Sequence, residues 1–75
     1  MQQISFYQFL MTKRNRNSHD SIAEFANNAF LDVSFPKETL TYDEMSKYLE
    51  LNAGYLPNMD IFDEVWREYL ERTTF

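Results

Sequence analysis

Cysteine is absent from this chain of 75 residues, and glycine occurs once, proline twice and histidine once. Without cysteine there are no disulfides, no cysteine-ligated zinc or iron–sulfur centres and no thiol catalysis, which suits a reducing cytosol. No apolar run approaches the length of a membrane span, and no basic segment followed by an apolar one opens the sequence. We therefore expect one domain over residues 1–75, cytoplasmic and without a membrane partner.

Aromatic residues are plentiful by contrast, at 17% of the chain, and most of them recur at helical spacing. The clearest amphipathic stretch covers 55–70, and its apolar half contains the only tryptophan, which we expect at the centre of the core. Pro57 disfavours helical geometry before it and Asn58 is a suitable N-cap, so a helix is predicted from about Asn58 to Arg72. The residues assigned to its buried half are Ile61, Phe62, Val65, Trp66, Tyr69 and Leu70.

Two capping boxes predict where two earlier helices begin. The pattern Ser5-Phe-Tyr-Gln8 opens a first helix, which should end in the polar run 12–18. The pattern Thr41-Tyr-Asp-Glu44 opens a third helix, predicted over 42–52. Gly54 follows that helix at the position where a left-handed C-terminal cap would need a glycine. These local signals therefore predict where the first and third helices begin and end.

Another helix is predicted between these two, starting from a cap at Ser18 or Asp20 and ending at about residue 31. In the proline-containing segment after it, Val33 and Phe35 are expected to fill the core from a non-helical conformation. No stretch shows the alternation typical of a strand. The sequence thus predicts an all-α fold, a small bundle of four helices. The apolar face of the second helix is assigned to Ile22, Phe25, Ala26, Ala29 and Phe30.

Four segments in this order resemble the YozE-like family of small proteins from Gram-positive bacteria, whose fold is similar to that of sterile-alpha-motif domains. The resemblance implies a compact four-helix arrangement, and it brings no catalytic or ligand residues to this chain. The segments are SFYQFLMTKR (5–14), EFANNAFLDVSFP (24–36), TYDEMSKYLELN (41–52) and YLPNMDIFDEVWREY (55–69). The matched positions include Phe6, Phe9, Phe25, Phe30, Phe35, Pro36, Tyr48, Leu49, Leu56, Pro57, Phe62 and Trp66.

Candidate catalytic or metal-binding residues are few. His19 is the only imidazole, and without a second histidine or a cysteine it makes a poor transition-metal site. The serines include no nucleophile-elbow pattern, and one glycine cannot build a phosphate-cradling loop. The acidic face of the last helix lacks the spacing of a calcium loop, so we interpret it as a solvated surface. We expect no enzyme activity, cofactor, metal or small-molecule substrate.

Charge is distributed unevenly along the chain, and this suggests how it meets a partner. Residues 1–19 carry three basic side chains and no acidic one, whereas the rest carries four basic and twelve acidic, a net −8. The function favoured is a protein-interaction module, binding an unknown protein or associating weakly with itself head to tail. The alternative is association with DNA through the basic end of the first helix, which the overall acidity disfavours. The candidate interaction residues are Lys13, Arg14 and Arg16 on one side and Asp60, Asp63, Glu64, Glu68 and Glu71 on the other.

Overall fold

The computed structural model describes residues 4–15, 17, 20–38 and 41–73. Four helices and no strand occur in these residues, which confirms the all-α prediction. They are α1 (Phe6–Met11), α2 (Ser21–Leu31), α3 (Tyr42–Asn52) and α4 (Met59–Thr73). The expectations for Arg16, Ser18 and His19 lie outside the described residues.

Hydrogen bonds at the helix starts confirm both capping boxes. The Ser5 hydroxyl accepts from the Gln8 amide at 3.2 Å, and the Gln8 side chain accepts from the Ser5 amide at 3.0 Å. Thr41 and Glu44 make the same reciprocal pair at 3.2 and 3.0 Å. Each box satisfies two amides that the first turn of a helix leaves without an intrahelical partner.

The other two helices begin at a side-chain cap as well. The Asp20 carboxylate accepts from the amides of Ile22 and Ala23, so Asp20 is the N-cap of α2. Asn58 accepts from the Asp60 amide at 3.0 Å, immediately before α4. Of the two caps predicted for α2, Asp20 is therefore the correct one, and the predicted start of α4 is correct to within a residue.

The prediction of a left-handed cap at Gly54 is wrong. Gly54 has no positive φ, and the C-cap of α3 is Ala53, at φ −100° and ψ 68°. The Ala53 amide donates to the Leu49 carbonyl, and the Ala53 carbonyl accepts from the Leu56 amide at 3.0 Å. Because Ala53 is itself buried, the chain turns inward at this residue and closes with an ordinary turn. The reversal does not require the left-handed conformation.

The core lies where α4 meets α1 and α2. Phe6 is at its centre, with its ring centroid 5.4 Å from that of Phe62 and 5.1 Å from that of Trp66. Phe6 and Phe62 are fully buried, whereas Trp66 is only partly buried against the core. The centre therefore belongs to two phenylalanines, and the expectation that Trp66 occupies it is wrong. The other large side chains that are fully buried are Phe25, Leu10, Met45 and Val65.

Three residues assigned to the core are exposed instead. Phe35 is buried as expected, but Val33 is 90% exposed because it lies at the tip of a turn that the Phe35 amide closes onto the Asp32 carbonyl. Phe30 is 48% exposed in the last turn of α2. Leu70, at 47%, lies at the edge of the apolar half of α4. Helical periodicity assigned a direction to Phe30 and Leu70, and the extended segment before Pro36 assigned one to Val33, but neither signal shows whether another element covers the side chain.

Candidate interaction surface

The end of α1 and the middle of α4 are joined by an ion pair within the molecule. Lys13 Nζ lies 2.9 Å from Glu68 Oε1, with the two side chains 26% and 37% exposed. The same ammonium lies 5.2 Å from the centroid of the Phe9 ring. A partly exposed pair of this kind contributes at most about 1 kcal/mol. Two of the charges predicted to meet between molecules therefore already meet inside one.

The remaining acidic candidates of α4 lie on the same face of the helix as Glu68. Asp63 accepts a hydrogen bond from the Tyr42 hydroxyl, which raises the pKa of that tyrosine. Asp60, Glu64 and Glu71 are exposed. Within the described ranges, no three acidic, histidine or cysteine side chains converge in a group that could hold a metal ion. The acidic candidates of α4 therefore share one face of the helix without forming a metal-binding group.

Arg14 lies against an aromatic ring. Its guanidinium is 3.6 Å from the centroid of Phe30, a short cation–π contact. Asn27 of α2 donates to the Asn15 carbonyl at 3.1 Å and so ties the segment after α1 to α2. Arg14, Asn27, Phe30 and Leu31 line an open cavity of about 300 Å³. Arg14 is therefore held beside an apolar cavity.

Apolar side chains are concentrated at the end of α2. Phe30, Leu31 and Val33 are 48%, 73% and 90% exposed, within four successive positions. Together with Arg14 they form what we call the α2-end surface. Sequence reasoning missed it because Phe30 and Val33 were assigned to the core. The available signal was Leu31, an apolar residue that falls outside the buried stripe of α2.

The Asp32 carboxylate accepts hydrogen bonds from two tyrosine hydroxyls and so holds the end of α2 in place. Asp32 Oδ2 accepts from the hydroxyls of Tyr48 at 2.6 Å and Tyr55 at 2.9 Å, and Oδ1 accepts from the Ser34 amide at 3.1 Å. These bonds connect the residue after α2 with α3 and with the link before α4. Sequence reasoning did not identify this cluster, because Asp32 is far from both tyrosines in the sequence and the three residues form no recognisable motif.

The pKa values of this cluster follow from its hydrogen bonds. Burial acts to raise the pKa of Asp32, but the bonds from Tyr48, Tyr55 and the Ser34 amide outweigh it, so the pKa is lowered. Burial and the bond to Asp32 raise the pKa of Tyr48 to about 12 and raise that of Tyr55 as well. At neutral pH the tyrosines are therefore hydroxyl donors to an ionised carboxylate. Such an arrangement is structural, since none of the three groups is free to act as a base.

A second cleft, of about 390 Å³, separates the end of α3 from the start of α4. Its lining includes the apolar residues Leu49, Ala53, Leu56 and Met59, with Glu50 as the charged residue. One carboxylate without a converging partner does not make a catalytic site. None of the helices in the described part is both long and apolar enough to cross a membrane.

Comparison with known proteins identifies the family. The family model described as the YozE SAM-like fold matches residues 5–71. A UPF0346 protein of Lactiplantibacillus plantarum is 65% identical over 66 residues, 88% of this chain and 90% of that protein. A UPF0346 protein of Limosilactobacillus reuteri is 60% identical over 68 residues, 91% of this chain and 93% of that protein.

A solved structure is similar as well. The solution NMR structure of the UPF0346 protein yozE from Bacillus subtilis has a TM-score of 0.79 and 52% identity, covering 89% of this chain and 82% of that chain. The sequence match and the similarity of folds agree over most of the chain, and both confirm the resemblance found in the four segments. The chain belongs to the YozE SAM-like family of UPF0346 proteins.

Proposed function

We propose that this chain is a non-catalytic, cytoplasmic protein-interaction domain that binds a protein partner through the α2-end surface. The observation that carries the proposal is the exposure of Phe30, Leu31 and Val33 beside one another, at 48%, 73% and 90%. Exposed apolar residues scattered singly are normal on a soluble protein, whereas grouped ones mark interaction sites. Burying these three side chains against a partner would remove apolar area from water and so favour binding.

The rigidity of this surface supports the same function. Phe30 and Leu31 lie in a helix, and the turn that carries Val33 is closed by a backbone bond and by the Asp32 carboxylate. Asp32 is in turn held by the tyrosines of the following elements. A surface that is already ordered loses little conformational entropy on binding, which leaves more of the contact energy as affinity.

The charged residues proposed from the sequence as an interaction surface remain a prediction. Lys13 and Glu68 are paired with one another, which leaves fewer charges for head-to-tail association. Arg14 covers Phe30, and Arg16 lies outside the described residues. Of the seven charged candidates in the described part of the chain, Arg14 borders the exposed apolar residues, so we retain it in the proposed surface. DNA association and self-association are alternative outcomes of the experiments below.

The test compares three versions of the tagged full chain in nuclease-treated extract of the source organism. They are wild type, Leu31→Asp, and Leu70→Asp as the matched control. Leu70 is also an exposed helical leucine, and it lies about 200° around α4 from Glu68, hence away from the end of α1. We expect a protein recovered with wild type and Leu70→Asp but not with Leu31→Asp. Identical recovery by all three versions contradicts the proposal. Nucleic acid recovered with wild type from a parallel extract without nuclease, and lost with Arg14→Gln, would favour the DNA alternative.

A further inference from the structure

We propose that the α2-end surface binds a short acidic amphipathic peptide segment of its partner. A carboxylate of that segment pairs with the Arg14 guanidinium, and an adjacent apolar side chain enters the cavity lined by Asn27, Phe30 and Leu31. The inference rests on the proposed function and names the chemistry of the partner.

The charge of Arg14 is available to a partner. Among the described residues no carboxylate lies within ion-pair distance of its guanidinium, whereas the neighbouring Lys13 is paired with Glu68. The guanidinium carbon lies over the Phe30 ring, 3.6 Å from its centroid, and a contact through the face of the guanidinium leaves its N–H groups able to donate to a partner. An arginine held in this way presents a fork that matches a carboxylate with two parallel hydrogen bonds. Arg14 therefore selects an acidic group.

The acidic residues around this surface do not compete for Arg14. The Asp32 carboxylate already accepts the hydroxyls of Tyr48 and Tyr55, and the positive charge of Lys37 acts on it. Glu24, one helical turn before Asn27 on α2, is exposed and forms no ion pair with Arg14. Arg14 is thus the charged residue among the described residues that line the cavity, although the domain as a whole carries −5.

The apolar lining of the cavity indicates that the bound peptide also carries an apolar side chain. A cavity of about 300 Å³ lies at the low end of ligand pockets and suits one or two apolar side chains. Leu31 and Val33, on the rim, extend the apolar contact beyond it. A peptide that bears an acidic residue beside a large apolar residue matches both features at once.

The same charges disfavour a second copy of this chain as the occupant. A two-fold symmetric contact centred on the cavity would bring Arg14 close to its own equivalent, and like charges across an interface weaken it. Two domains that each carry −5 also repel one another at low salt. A short acidic peptide is also repelled by the net charge at long range, but it brings fewer charges than a second domain and no arginine opposite Arg14.

The experiment selects short random peptides displayed on phage against the full chain, with counter-selection on Leu31→Asp. We expect enriched sequences that combine Asp or Glu with Leu, Ile, Phe or Trp. Binding of a synthetic peptide from this set is then measured by fluorescence anisotropy. Arg14→Gln should weaken it about tenfold or more, high salt should weaken it as well, and Arg14→Lys should have an intermediate effect. The control Arg67→Gln removes an exposed arginine of α4 and should change affinity less than about twofold.

Each other outcome overturns the inference in a distinct way. Enriched peptides without acidic residues, bound equally by Arg14→Gln, would show that the surface reads apolar residues alone, and the proposed function would stand. Dimerisation in sedimentation that Leu31→Asp abolishes would make the occupant a second copy. The absence of any enriched peptide would overturn the acidic-peptide inference, whereas recovery of a partner from extract decides the proposed function separately.

Discussion

The guanidinium of Arg14 lies 3.6 Å from the centre of the Phe30 ring. Phe30 continues the buried stripe of α2, but its ring contacts this cation instead of the core. Phe30 is still 48% exposed, next to Leu31 and Val33, which are more exposed. This contact places a positive charge and an apolar group side by side at the end of α2, and the proposed function depends on that combination.

The exposure of Phe30 has a measurable consequence for stability. We expect Phe30→Ala to lower the free energy of unfolding by about 1 kcal/mol, whereas Phe25→Ala, which empties a fully buried site, should cost about 3–5 kcal/mol. Urea unfolding followed by circular dichroism measures both. Equal losses would mean that Phe30 is buried in solution, and the α2-end surface would lose its largest apolar residue.

The Asp32 cluster should contribute to stability through its hydrogen bonds. Tyr48→Phe removes a partly buried bond to a charged acceptor and should cost about 1 kcal/mol. Tyr42→Phe is the matched control, because its hydroxyl also donates to a carboxylate, Asp63, but on the exposed surface, where the loss should be smaller. Chemical unfolding of the two variants compares them, and equal effects would contradict a special role for Asp32.

Stability should also depend on pH through Asp32. Its pKa in the folded chain is lowered from the ordinary 3.8, so its contribution is fully present above that value and is lost as pH falls through the folded pKa. The Glu44 carboxylate in the capping box has a lowered pKa as well and adds to the same acid loss. Asp32→Asn should therefore flatten the decline of unfolding free energy below about pH 4, without removing it. An unchanged slope in that variant would contradict the lowered pKa.

Phe6 and Trp66 separate the true centre of the core from its edge. Phe6 is 1% exposed and contacts the rings of Phe62, Trp66 and Tyr69, whereas Trp66 is only partly buried. Phe6→Ala should cost about 3–5 kcal/mol, enough to unfold much of so small a domain. Trp66→Leu, which keeps an apolar side chain at the edge, should leave a cooperative thermal transition. A lower transition temperature for Trp66→Leu than for Phe6→Ala would reverse this assignment.

The sequence was sufficient for features that are decided within a few residues. Both capping boxes join residues three positions apart, so a local pattern contains the whole interaction. The extent of α3 followed from its box and its periodicity. The prediction for Gly54 was wrong because the chain reverses direction after α3 through the turn at Ala53, which needs no left-handed residue.

Features that depend on packing between distant residues could not be predicted from local sequence patterns. The Asp32 bonds to Tyr48 and Tyr55 span 16 and 23 positions, and the Lys13–Glu68 pair spans 55. Periodicity gave the direction of Phe30 correctly but not the cation that covers its ring. The candidate site was therefore predictable only in part, with Arg14 named from its charge and the apolar residues beside it missed.

Crosslinking in living cells tests the α2-end surface most directly. A photoreactive phenylalanine analogue replaces Val33 in one version of the full chain and Leu51 in another; these residues are 90% and 83% exposed, so neither replacement disturbs the core. If the account is correct, irradiation produces a discrete protein adduct from position 33 that position 51 does not give. No adduct from position 33, or the same adducts from both positions, would contradict the claim that this surface binds a partner.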